Sequence, residues 1–81
     1  MFINKTNDGR NNVCGEQIAQ FRTARKLSQR QLADMLQLQG LDIDKNAVQR
    51  IEAGNRFVTD IELIHFSKVL DISFEILLCQ E

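Results

Sequence analysis

Four of the six side chains from Lys45 to Arg50 are Lys45, Asn46, Gln49 and Arg50. Their ammonium, amide and guanidinium groups are those that pair with the edges of guanine and adenine. At about 100° per residue they fall, with Ala53, within one arc of about 140°. Ala47, Val48 and Ile51 fill the opposite side, and Glu52 lies beside them. A short helix with a narrow apolar stripe and a polar free face suits a DNA major groove. A merely solvated amphipathic face has the same pattern, so the neighbouring elements must decide.

The preceding element repeats the spacing: Leu32, Ala33 and Leu36 stand to one another as Ala47, Val48 and Ile51 do. Ser28 is a good N-cap for it, with Gln31 at the capping-box position, and it runs to about Leu38. Gln29 opens this helix, where its amide and the unpaired backbone N–H groups can meet a phosphate. Arg56, just past Gly54, flanks the other side. Phosphate contacts on either side of a base-reading helix hold it in register.

The other elements frame this pair. Residues 1–13, polar with four Asn and with Asp8 and Gly9, read as a flexible N-terminal arm, and residues 14–81 as one domain. A first helix spans about Gly15 to Lys26 with Ile18 and Phe21 on one stripe. Arg22 shares that stripe, so its charge needs a partner. Gln39 to Asp44 form a turn in which Gly40 permits positive φ, with Leu41 and Ile43 beneath it as apolar plugs. Asp44 caps the third helix and Gly54 ends it. After a loop, Thr59 caps a fourth helix with Leu63, Phe66, Ser67 and Leu70 inward, and Ser73 caps a short fifth. No strand-like alternation occurs. The expected fold is an all-α, compact five-helix bundle.

Charge and composition narrow the function. Residues 14–59 carry seven basic and five acidic side chains, whereas residues 60–81 carry one basic and five acidic. This asymmetry matters more to a phosphate-bearing partner than the overall −1. Cys14 and Cys79 read as reduced thiols acting as small apolar residues, and His65 as a solvent-exposed side chain. No metal site, glycine-rich phosphate loop or nucleophile–base pair can be assembled, so neither metal nor cofactor is expected and the chain reads as not an enzyme. With no signal peptide and no membrane-length apolar run, a cytoplasmic location is expected.

Ile18, Phe21-Arg22, Leu27-Ser28-Gln29, Leu32-Ala33, Ala47-Val48, Ile51-Glu52-Ala53-Gly54, Leu63, Leu70 and Ser73 together resemble the phage repressor/Cro-type helix-turn-helix family. That family includes small regulators of the xenobiotic-response-element type. The resemblance covers roughly residues 15–78. It implies base contacts from Lys45, Asn46, Gln49 and Arg50, and phosphate contacts from Gln29, Asn55 and Arg56. It further implies a salt bridge between Arg22 and Glu52 and dimerisation through the C-terminal region. The turn from Gln39 to Asp44 is longer than the family's usual one, and Val58 stands where a proline is usual.

The resulting expectation is a sequence-specific regulator of transcription, a repressor binding two operator half-sites in double-stranded DNA as a homodimer. Five of the seven residues Ile72 to Leu78 are apolar, so the dimer axis is expected near Ile72, Phe74, Leu77 and Leu78, through an interface small enough to allow pairing only on DNA. The alternative is a protein-interaction module, an antitoxin-like partner built on the same fold.

Overall fold

The computed structural model describes residues 4–80. Five helices follow in order: α1 Gly15–Ala24, α2 Gln29–Leu38, α3 Lys45–Ala53, α4 Asp60–Leu70 and α5 Phe74–Leu77. Local chemistry sets their limits. The Ser28 hydroxyl accepts from Gln31 N at 3.0 Å while the Gln31 side chain accepts from Ser28 N at 2.8 Å. Thr59 and Glu62 form the same reciprocal box at the start of α4. Asp44 Oδ1 accepts from Ala47 N at 2.8 Å, capping α3, and Ser73 Oγ accepts from Ile76 N at 3.2 Å, capping α5. α3 ends at Gly54 with φ +83°, a left-handed conformation that glycine adopts without a Cβ penalty.

α3 packs against α1 and α2, α4 closes over the same two helices, and α5 sits against α1 and α4. Ile18, Leu32, Leu36, Val48, Ile51, Phe66, Leu70 and Leu77 fill the shared core. Ile43 plugs the turn between α2 and α3, and Leu41 is partly buried beside it. Gln37 Nε2 donates to Ile43 O at 2.8 Å, holding that turn closed.

Several expectations need correction. The segment read as a flexible arm turns back at Thr6–Arg10, and Arg10, Asn11 and Asn12 hydrogen-bond to the end of α3. Its first three residues, like Glu81, lie outside the described residues. Ile72 is buried and Leu77 fully so, because α5 must close the bottom of a small core; neither is free to meet another chain. Cys14 is a core thiol whose burial pushes its pKa to about 11, but Cys79 is exposed rather than apolar filling. His65 is half-buried, with Nδ1 lacking a partner among the described residues. Glu62, on the face assigned to the core of α4, is buried as well.

Candidate nucleic-acid interface

The apolar side of α3 is shut away: Val48 and Ile51 are fully buried and Ala47 nearly so. Lys45, Asn46, Gln49 and Arg50 are all exposed on the other side. Among the described residues none of these four side chains is held by a hydrogen bond or ion pair. Four long polar groups thus point outward from one rigid helix with their bonding capacity unused. Beside them, an open cleft of about 340 Å³ separates α2 from α3, lined by Arg30, Asp34, Gln37, Asp44, Lys45 and Asn46. Its charge is mixed, so the basic character lies on the α3 face rather than in the cleft.

Behind α3 sits the ion pair expected from the charge on the α1 stripe. Arg22 Nε donates to Glu52 Oε2 at 2.7 Å and Arg22 Nη2 to Glu52 Oε1 at 3.1 Å. The third guanidinium nitrogen, Nη1, donates to Leu27 O at 2.6 Å. One side chain of α1 therefore grips α3 and the loop leading into α2. Gln29 joins the same network, its Nε2 donating to Glu52 Oε1 at 2.9 Å. The residue expected to hold a phosphate instead has its amide turned inward, tying the start of α2 to α3.

Arg56 is similarly committed. Its Nη1 and Nη2 donate to the two Glu62 carboxylate oxygens, each at 2.9 Å. The guanidinium beside Glu62 holds that carboxyl below the usual carboxylate range despite its burial, and the carboxylate in turn raises the Arg56 pKa. Arg56 thus braces the loop between α3 and α4, with most of its donors occupied rather than extended into solvent. Sequence reading missed Glu62 as its partner. The available signal was the capping pair Thr59–Glu62, which brings that carboxylate to the loop end of α4. Asn55 is exposed at the same loop, and its backbone N–H closes α3 by donating to Arg50 O at 2.9 Å.

Of the residues expected at a dimer interface, Phe74 is 46% exposed and Leu78 half-buried, while Ile72 and Leu77 belong to the core. The C-terminal segment is not the only place with apolar surface to spare. Ile61 and Ile64, 62% and 43% exposed, share the solvent face of α4, and exposed Phe57 lies just before that helix.

No helix among the described residues is long and apolar enough to cross a membrane. A helix-turn-helix family model matches residues 18–77, a span running from α1 to the end of α5. No curated protein and no solved structure matched the chain. With the paired helices α2 and α3, the polar outer face of α3 and this match in place, the chain belongs to the Cro/C1-type helix-turn-helix family of DNA-binding regulators.

Proposed function

We propose that this protein is a transcriptional repressor that reads two half-sites of an operator as a homodimer, with α3 lying in the major groove. The observation that carries this reading is the exposed, unpaired quartet Lys45, Asn46, Gln49 and Arg50 on a helix anchored from behind by Arg22–Glu52. In this reading the quartet contacts base edges. Asn55 and the N-terminal end of α2 around Gln29 meet phosphates. Arg56 contributes mainly by bracing the loop through Glu62 and only secondarily by touching the DNA backbone.

One such unit spans too few base pairs to discriminate among genomic competitors, which argues for a second copy. Exposed apolar side chains supply the contact: Phe74 near the C-terminal end, with half-buried Leu78 in the same segment, and Phe57, Ile61 and Ile64 at and before α4. A contact this small suits pairing that is completed on DNA.

Selection from a random duplex pool tests the reading. The expected result is a two-fold-symmetric site with half-site centres about 34 Å apart, bound more weakly as salt rises. A reporter whose promoter overlaps that site should then fall silent when the protein is expressed. A pool that enriches no sequence would overturn the proposal. The exposed apolar face of α4 favours a second reading, a module whose main ligand is another protein; stoichiometric co-purification with a partner and no DNA affinity would establish it instead.

A further inference from the structure

The last carbonyls of an α-helix have no partner within the helix. In α3 several of those near its end are satisfied by a segment some forty residues earlier in the chain. Arg10 Nη2 donates to Glu52 O at 2.8 Å, Asn12 Nδ2 donates to Ile51 O at 3.0 Å, and Asn11 N donates to Gly54 O at 2.8 Å. The same Asn12 amide nitrogen reaches Arg56 O in the next loop at 2.8 Å, while Asn12 Oδ1 accepts from Gly15 N at 2.8 Å. One side chain thus joins the start of α1, the end of α3 and the loop that carries Asn55 and Arg56.

Packing reinforces the bonds. A Cβ on Gly15 would lie 2.1 Å from Ile51 O, and one on Gly54 would lie 2.8 Å from the Arg10 guanidinium carbon. Both glycines therefore let the three elements touch. The Arg10 cation also sits at the negative end of the α3 dipole, where positive charge is favoured. Residues 10–12 precede the span that the family model matches, residues 18–77.

We propose that Arg10 and Asn12 are positioning residues for DNA recognition. Holding the far end of α3 together with the adjoining loop, they set the tilt at which Lys45, Asn46, Gln49 and Arg50 enter the groove. This rests on the groove-reading role proposed above for α3. A tilt error of this kind degrades aligned base-edge hydrogen bonds while leaving the number of phosphate contacts almost unchanged, so it falls on discrimination rather than on general affinity.

The test uses the full chain and the Asn12→Ala and Arg10→Ala variants, each checked for folding by circular dichroism and for active fraction by stoichiometric titration. Affinity is measured over a salt series for the duplex selected by the parent protein and for a scrambled duplex. The expected result is a loss of about tenfold or more on the selected duplex, with scrambled DNA within about twofold and the salt slope unchanged. A purely stabilising role would lower the active fraction and leave the ratio of the two affinities where it was. Folded variants that keep that ratio overturn the proposal, as does an equal loss on both duplexes with a shallower slope, which would mean direct phosphate contact. Failure of both variants to fold would assign the segment to stability alone and overturn it too. If the parent protein itself prefers no sequence, the groove-reading role fails first, and that result is visible before any variant is made.

Discussion

The two ends of α3 are built differently. At its start, Asp44 caps one backbone N–H, and Lys45 and Asn46 stand exposed beside an open cleft. At its end, Glu52 is gripped by Arg22 and Gln29, and carbonyls of Ile51, Glu52 and Gly54 accept from residues 10–12. The base-reading end of a recognition helix is its N-terminal part. In the proposed reading, rigidity is therefore supplied from the end remote from the bases, and the side chains at the reading end have no partner among the described residues that would compete with DNA.

Removing the strongest tie should have the largest effect on this contrast. Glu52→Ala leaves the half-buried Arg22 without its carboxylate and frees Gln29, at a cost on the order of 3 kcal/mol. For a domain of this size that lowers the melting temperature by roughly 12–24 °C. A shift of only a few degrees would mean the fixed end is held by packing alone. Next come Asn46→Ala and Gln49→Ala, which should melt like the parent yet lose about 1–3 kcal/mol on the preferred duplex, with altered base preference when selection is repeated. Equal losses on selected and random DNA would show that these side chains hold rather than read.

Loosening the free end is a smaller perturbation. Asp44→Ala removes the α3 cap and should cost about 1 kcal/mol of stability, seen as a melting shift of roughly 4–8 °C. The smallest effect concerns the brace beyond the fixed end. The Arg56 hydrogen bonds lower the Glu62 pKa below its unfolded value of about 4.3. The pair therefore contributes stability that is fully present above that value and is lost as pH falls through the lower folded one. Melting curves from pH 7 to pH 3 should converge for the parent and Glu62→Gln in acid, with a gap of less than about 1 kcal/mol at neutral pH. A gap that widened in acid would have the wrong sign for this pairing.

What could be read from the sequence follows the range of the interaction. Ser28 with Gln31, Asp44, Gly54, Thr59 and Ser73 each act within one helical turn, so residue type and spacing were enough to find them. Arg22 was legible because a cation on an apolar stripe demands a partner, and the family resemblance pointed to Glu52. Arg56–Glu62 spans a loop whose path decides whether the two meet, and nothing in their spacing sets it. The same holds for Gln29, whose amide reaches either solvent or Glu52 by rotation about its own side-chain bonds. Arg10 and Asn12 bond to backbone carbonyls, which carry no residue signature, from a segment whose Asn-rich, polar composition reads as loose. Ile72 and Leu77 were visibly apolar, but whether such residues meet their own core or another chain depends on how completely the remaining helices fill that core.

The outward quartet on α3 has a consequence for descent. Exposed side chains without internal partners change stability by only about 0.5 kcal/mol when replaced. Lys45, Asn46, Gln49 and Arg50 meet that description, whereas Glu52, two residues beyond Arg50 on the same helix, does not. On the proposed groove-reading role, duplicated copies of such a gene would drift apart in target site by changing those four codons while inheriting the same scaffold, without passing through an unfolded ancestor.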